Sequence, residues 1–414
     1  MTTGPDQSMK NTFGVIIGGV LAGLLLGGVF AAGFITHDIT GDDPGPIVQA
    51  QSDPTPVPPE LEFPILHEVH GLVAGNFYRE LPSAKTLEYA AIRGYLGSLE
   101  DPYSFFNDPP VAQSESDALA GIYGGIGVTV NRNERGVIEL FPYPDGPAAS
   151  AGVIDRDVLI AINGEPVPSD ERLDVVRQQL RGEVAEGSGV EITVSQPDVE
   201  ETRTYFIAFA EIRIPSTVWR ILPGEPVLGY IHITSFTSRT PEELEDAIAE
   251  LKDLGAVGLV LDLRDNFGGL LQESIEIADE FLDGGIIVIE QSRQTGEVIE
   301  EATTGGLATE MPMIIIVNER TASAAEVVAG ALQQNDRAVL VGQRTRGKGS
   351  VQFIYGLSDG SSFRITGAVW LTPDRTPLDG FGLTPDIEMI PDENNRDVEL
   401  GEAIRQLNQQ LVPQ

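Results

Sequence analysis

The 414-residue sequence contains no cysteine. That absence removes disulfides, a thiol nucleophile and thiolate metal sites together. Histidine is nearly as scarce, with only His37, His67, His70 and His232. His67 and His70 lack the spacing of H-E-x-x-H, so no zinc site is expected. His232 alternates with apolar neighbours and reads as a half-exposed strand residue, which gives a Ser-His-Asp triad little support. Positive charge is short as well: 26 Lys and Arg stand against 63 Asp and Glu, a net charge of −37. Binding a polyanion needs clustered cations, so nucleic-acid binding is excluded. The acidic surface serves solubility.

What is present begins with one long apolar run. Residues 13–35 are 23 residues without a charge, and at about 1.5 Å each they span a bilayer core of about 30 Å. Lys10 precedes the run, and Asp38, Asp42 and Asp43 follow it. That bias puts residues 1–12 in the cytoplasm, 13–36 in the membrane and the remainder outside. A cleaved signal peptide is the competing reading, but the run is long for one and no clear cleavage site follows it. Residues 37–60 are rich in Pro and Asp and read as an extended, disordered tether. Residues 61–111 carry helical patterns, and 112–210 hold glycine-rich loops and short strands. Strand and helix patterns alternate through much of 211–391, and a terminal helix is expected in 392–414. The fold class is therefore multidomain α/β, with a largely parallel sheet in the larger domain.

Two short segments of that domain carry the chemistry. Residues 313–317, M-I-I-I-V, read as a buried strand, and 324–334 as a helix with Val327, Val328, Ala331 and Leu332 on its apolar face. Ser323 stands at their junction, where unpaired N–H groups and the helix dipole favour negative charge. The plain alternative is a cap. Ser323-Ala324-Ala325-Glu326 fits S-x-x-E, the box in which serine merely satisfies orphan N–H groups. Lys348 shifts the balance. It is one of four lysines among the 26 basic residues. Lysine, unlike arginine, can act as a base once burial lowers its pKa by roughly three units from about 10.4. Gly347 and Gly349 permit another segment to approach it closely. Alone, it is equally a surface lysine in a glycine turn. Residues 350–355 read as a strand, and period two puts Lys348 and Gln352 on one face, so Gln352 could hold the amine.

Residues 257–263 form another buried-strand pattern, followed by Arg264-Asp265-Asn266-Phe267-Gly268-Gly269. The glycine pair permits close approach of a substrate, or marks a tight strand-to-helix turn. In the smaller domain, Gly121 to Val128 is a glycine-rich loop leading into a strand. Its N–H groups could cradle a carboxylate, and the strand edge could take up an extended peptide. No complete G-x-G-x-x-G with a following helix and acidic partner is present, which argues against a dinucleotide. Asn163-Gly164 marks a hairpin, and 169–181 read as a helix with Leu173, Val176 and Leu180 on one face.

T-A-S-A-A-E around Ser323 and G-K-G-S-V-Q from Gly347 to Gln352 together resemble the signatures of the carboxyl-terminal processing proteases, S41-type Ser/Lys peptidases that carry a PDZ domain. Gly146 to Val167 resembles the PDZ domain, and Gly382 to Asp386 the family's closing motif. The resemblance covers most of the chain after residue 61. It implies a serine endopeptidase with Ser323 as nucleophile, Lys348 as general base and Gln352 positioning the lysine. It implies an oxyanion hole from Gly269 and Ala324. Phe267 replaces the proline or glycine of many relatives, so Gly268 stays an alternative to Gly269. It implies no metal or cofactor, and a PDZ groove, with Gly125, Ile126, Gly127 and Val128, that receives free, apolar C-termini of protein substrates. The implied setting is a bacterial cell membrane with the catalytic domain outside; a homo-oligomer or a regulatory partner stays compatible. Two readings of other classes remain beside it: a non-catalytic PDZ scaffold that retains the protease fold, and a hydrolase of small esters.

Overall fold

The computed structural model describes residues 47–49, 63–196, 201–390, 392 and 396–412. Its first elements are β1 (Ile47–Gln49), α1 (Pro64–Asn76), α2 (Ala84–Gly97), β2 (Phe105–Asn107) and α3 (Pro109–Ala120). Proline opens α1 and α3, where its missing N–H would be unpaired anyway. Ser83 caps α2 by accepting the Thr86 N–H at 3.1 Å.

A small β domain follows. It comprises β3 (Ile122–Gly125), β4 (Val128–Arg132), β5 (Ile138–Pro142), α4 (Pro147–Ala151), β6 (Asp157–Ile162), β7 (Glu165–Pro166), α5 (Leu173–Gln179), β8 (Gly189–Ser195), β9 (Thr202–Ala208) and β10 (Ala210–Arg213). Strands β4-β5-β6-β8-β9 form an antiparallel sheet, with β7 beside β6. Alternate residues Val190, Ile192 and Val194 of β8 face a core shared with Val176 and Leu180. β4 is the last strand in this order, and α5 packs beside it.

The larger domain contains β11 (Thr217–Leu222), β12 (Leu228–Ile233), α6 (Thr240–Asp253), β13 (Gly258–Asp262), α7 (Leu271–Asp279), β14 (Ile286–Ser292), β15 (Gly296–Glu301), β16 (Met313–Val317), α8 (Ala324–Gln334), β17 (Val339–Gly342), β18 (Ser350–Gly356), β19 (Ser362–Leu371), β20 (Ile387–Glu388) and α9 (Val398–Leu411). Its central sheet runs β11-β12-β13-β16-β17-β20 and is parallel from β12 onward. β16 is apolar throughout because both faces are covered. Met313, Ile315 and Val317 pack with residues of α6, α7 and α8, while Ile314 and Ile316 pack with Ala403 and Leu407 of α9. Since β13, β16 and β17 are adjacent and parallel, the loops after them emerge side by side at the carboxyl edge, where α/β sheets build their sites. Those loops carry Gly268 and Gly269, Ser323, and Lys348.

Several expectations need correction. The larger domain has a second sheet, β1-β18-β19-β14-β15, antiparallel except that β1 runs parallel to β18, with β2 paired to β19. Short returns such as residues 357–361 between β18 and β19 make antiparallel pairing the accessible one. Residues 47–49, read as disordered tether, form β1; its register sets Ile47 against Gln352. Residues 101–107, read as part of a helical region, are a turn and β2. Helix α3 occupies the start of the range read as the smaller domain. β10 pairs with β3 across the boundary expected at 210. The helix expected over 169–181 is confined to Leu173–Gln179. The apolar run of 13–35 and most of 37–60 lie outside the described residues. Among the described residues no helix is long and apolar enough to cross a membrane.

Candidate active site

Ser323 is fully buried at the start of α8, with φ +65° and ψ −125°. An L residue adopts this conformation only where its surroundings hold it, at a cost of order 1–3 kcal/mol. The sharp turn lets residues 318–323 reverse the chain from β16 into α8. Ser323 and Glu326 take up the capping-box arrangement, with Glu326 Oε2 accepting the Ser323 N–H at 2.8 Å and Ser323 Oγ facing the Glu326 N–H, but that N–H donates to the Ser323 carbonyl at 2.7 Å and Oγ has no hydrogen-bond partner. The hydroxyl is not serving as a cap.

Glu326 is the hub of the site, and the sequence reading gave it only a capping role. Its Oε1 accepts from Gly347 N at 2.7 Å and from the Thr345 hydroxyl. Its Oε2 accepts from Ser323 N and, at 2.9 Å, from Lys348 N. One side chain thus ties the serine junction to the lysine loop. Burial pushes its carboxyl above the ordinary range, and the four donors pull the other way. Each oxygen already takes two donors, so no acceptor is left for a carboxyl proton. The geometry is that of the carboxylate.

The glycine loop lies against the serine. A Cβ on Gly268 would fall 2.8 Å from both Cβ and Oγ of Ser323, and one on Gly269 would fall 2.1 Å from Phe236 O. Both have positive φ, +103° and +149°. Buried Asn266 fastens this loop: its Oδ1 accepts Gly268 N at 2.8 Å, its Nδ2 donates to Ile233 O at 2.9 Å, and its carbonyl accepts Ala322 N at 2.9 Å. Gly268 N is therefore engaged. Among the described residues Gly269 N and Ala324 N donate no hydrogen bond. Upstream, Arg264 binds Asp262 and, through both η nitrogens, Asp397 at the head of α9.

Lys348 is buried and lies in the loop before β18, the strand read over 350–355, so the period-two relation to Gln352 does not extend to it. A register shift between Val351 and Gln352 further breaks the assumed alternation. The Lys348 Nζ stands 4.6 Å from the centroid of the Tyr103 ring. Gln352 is buried; its Nε2 donates to Thr366 Oγ1 at 2.8 Å, and its Oε1 has no hydrogen-bond partner. The turn at Asp101–Ser104 closes over this side: Asp101 accepts Tyr103 N at 3.1 Å, and Ser104 Oγ accepts Thr366 N at 3.2 Å. The sequence reading missed these residues because nothing local shows that a segment some 250 positions away in sequence pairs, through β2, with β19. His232 Nε2 is bound to Arg264 O at 3.2 Å, away from any triad geometry.

In the smaller domain, Gly127, Val128, Thr129 and Val130 line a groove with Tyr143, Arg177 and Arg181. Ile126, expected at the ligand, is wholly buried in the core, and its N–H donates to Leu180 O at 3.3 Å. Gly125 bridges to Arg181. Arg177 donates to Val130 O at 3.0 Å, and Arg181 to Asp117 at 2.6 Å while covering the Tyr123 ring. Burial and the neighbouring Arg181 charge push Arg177 below its ordinary value.

Comparison with known proteins places this arrangement. The model of peptidase family S41 matches residues 227–389, and that of the PDZ domain matches 142–193. A carboxy-terminal-processing protease of Bartonella bacilliformis is 35% identical over 79% of this chain and 76% of its own. The chain belongs to peptidase family S41. A second member of the family, a carboxyl-terminal-processing protease of Picosynechococcus, is also 35% identical, over 79% of this chain and 78% of its own. A solved photosystem II D1 C-terminal processing protease aligns over 82% of this chain and 90% of that one, at 29% identity and TM-score 0.47. This S41 member is a serine-type peptidase with a PDZ domain.

Proposed function

We propose that Ser323 is the nucleophile, Lys348 the general base and Gln352 the group that orients the lysine, in an endopeptidase that takes protein substrates by their free C-termini. The observation that carries the reading is Ser323 itself. It is buried, strained, without a hydrogen bond at Oγ, and tied by one carboxylate to the loop bearing Lys348. Lys348 would take the proton of Ser323 Oγ as the oxygen attacks the scissile carbonyl carbon. The oxyanion would be held by Gly269 N and Ala324 N, since Gly268 N is engaged by Asn266. Lys348 would pass the proton to the departing amine as the C–N bond breaks, and water would then hydrolyse the acyl-enzyme. No metal or cofactor is required by these steps.

Residues 112–210 would act as the PDZ substrate reader and 211–391 as the protease core, preceded by the helical region 61–111. Gly127 and Val128 border the free edge of β4 on which an extended chain could add. Arg181 at the groove suits a terminal carboxylate, and the groove's valines suit apolar end residues. Residues 13–36 would anchor the protein in a bacterial membrane, leaving the protease outside the cytoplasm. The deciding experiment is cleavage of an unstructured protein with an apolar C-terminus by the chain and by its Ser323→Ala, Lys348→Ala and Lys348→Arg variants. Cleavage lost in all three supports the dyad; unchanged cleavage by Ser323→Ala removes it, and retained activity in Lys348→Arg removes the lysine base.

A further inference from the structure

A directed chain of hydrogen bonds stands behind Gln352. Its Nε2 donates to Thr366 Oγ1 at 2.8 Å. A hydroxyl that accepts there must send its own hydrogen elsewhere, and the Asp101 carboxylate is set beside Thr366 by Ser104, whose hydroxyl donates to Asp101 and accepts Thr366 N at 3.2 Å. Asp101 also receives the Ser104 hydroxyl and the Tyr103 N–H. Burial pushes the Asp101 carboxyl up, but the hydroxyls of Ser104 and Thr366 and backbone N–H groups outweigh it and hold the group below its ordinary value. An ionised carboxylate only accepts. The bonds therefore run one way, from the Gln352 amide nitrogen through Thr366 to Asp101.

That direction decides which end of the amide is left over. With Nε2 committed to Thr366, the free end is Oε1, which is buried and has no hydrogen-bond partner. Were residue 101 able to donate, Thr366 could turn its hydroxyl toward Gln352 Oε1 and the amide would flip. It would then offer N–H to the lysine, donor against donor. The same turn carries Tyr103, whose ring lies over Lys348 Nζ, so residues 101–104 touch Lys348 directly and reach Gln352 through Thr366. We propose that Asp101, acting through Thr366, fixes the orientation of the Gln352 amide so that Oε1 is the end offered to Lys348. The proposal rests on the roles given above to Lys348 and Gln352; Asp101 and Thr366 are positioning residues.

The test is steady-state cleavage, by the full chain, of an unstructured reporter protein that ends in apolar residues. The variants are Asp101→Asn, Thr366→Val, Thr366→Ser, Gln352→Ala and the double variant Asp101→Asn/Gln352→Ala, each with its Tm. Asp101→Asn keeps the shape but supplies a donor; Thr366→Val keeps the shape but removes the hydroxyl. Both are expected to lower kcat roughly tenfold with KM unchanged, the size of one well-placed hydrogen bond to a polar partner. Thr366→Ser should restore kcat to within about twofold. In the Gln352→Ala background Asp101→Asn should add nothing, whereas a merely structural role would add its loss in full. Should Asp101→Asn prove too unstable to assay, Thr366→Val and its serine rescue carry the test alone. Impaired Gln352→Ala beside unimpaired Asp101→Asn and Thr366→Val overturns the relay and leaves the role of Gln352 standing, as does full additivity in the double variant. Wild-type activity in Gln352→Ala overturns that role, and the relay with it.

Discussion

Two glycine-rich loops in this chain were both read as sources of backbone donors, and the fold treats them differently. The loop at Gly268 and Gly269 is fastened from three directions, by Asn266, by Phe236 and by the Arg264 clamp, while Gly269 N has no acceptor among the described residues. The loop at Gly124 to Gly127 has given the Ile126 N–H to Leu180 O, and Arg177 holds the Val130 carbonyl on the neighbouring strand edge. A rigid loop with an open donor suits charge that exists only during reaction, since nothing need reorganise when it forms. A loop whose Ile126 N–H and neighbouring Val130 carbonyl already have partners suits a ligand that must displace something, so binding there would be coupled to movement of α5 and the segment after it.

The contrast breaks most visibly in glycine variants. Gly268→Ala would set a methyl 2.8 Å from Ser323 Oγ at a φ of +103°. Its kcat should fall by at least about a hundredfold, the scale of a spoiled oxyanion site. Gly127→Ala also meets positive φ, +69°, but its nearest neighbour is the Ile212 side chain at 3.1 Å. It should cost about 1 kcal/mol of stability, raise KM a few-fold and leave kcat unchanged. Equal losses of kcat in the two variants would erase the distinction between the loops.

A second test bears on what holds the catalytic side rigid. Glu326→Gln replaces one acceptor oxygen by an N–H₂ that must face two donors. Two buried donors are left unsatisfied, at about 1–3 kcal/mol each. Tm should fall accordingly, and kcat more than KM, because the Ser323 and Lys348 backbones lose their common acceptor. Unchanged Tm and kcat would show that Glu326 fastens nothing.

The elements beneath this site were legible in unequal measure. β16 and α8 were readable to the residue because an apolar β-branched run and a helical stripe are local patterns, and their parallel neighbours followed from alternation. The separate antiparallel sheet was not readable: β14, β15, β18 and β19 are strands in either arrangement, and only tertiary pairing distinguishes them. Ser323 and Lys348 stood out by motif, yet S-x-x-E pointed equally to a cap. What decides against the cap is the idle Oγ, a fact of geometry. Glu326 was in the motif but its reach to Gly347 and Lys348 spans another loop. Asp101 and Tyr103 were invisible as site residues, because their partners Thr366 and Lys348 are joined to them by no local pattern.

A milder intervention addresses the PDZ side. Arg177→Leu keeps a long apolar stem but releases Val130 O. An extended chain adding to β4 would no longer have to displace the guanidinium, so KM should fall about threefold with kcat unchanged, a change of under 1 kcal/mol. A rise in KM of similar size would mean that Arg177 itself holds the substrate carboxylate.

The smallest expected effect separates how the two loops are clamped. Asp397, half exposed, pairs with Arg264; burial pushes its carboxyl up, but the Arg264 hydrogen bonds and charge hold it below its ordinary value. A carboxyl depressed in the folded state adds stability that is present above its unfolded pKa, about 3.9, and is lost as pH falls through the folded value. Asp397→Asn should therefore lower Tm slightly near neutral pH, by the equivalent of about 1 kcal/mol or less after solvent screening, and the difference from the unmodified chain should close as the medium is taken below pH of about 4. The Arg264 clamp acts on the Gly268 loop and not on the PDZ loop. The same substitution should then lower kcat a little and leave C-terminal peptide binding unchanged, and a loss of binding instead would place the clamp's effect on the wrong side of the comparison.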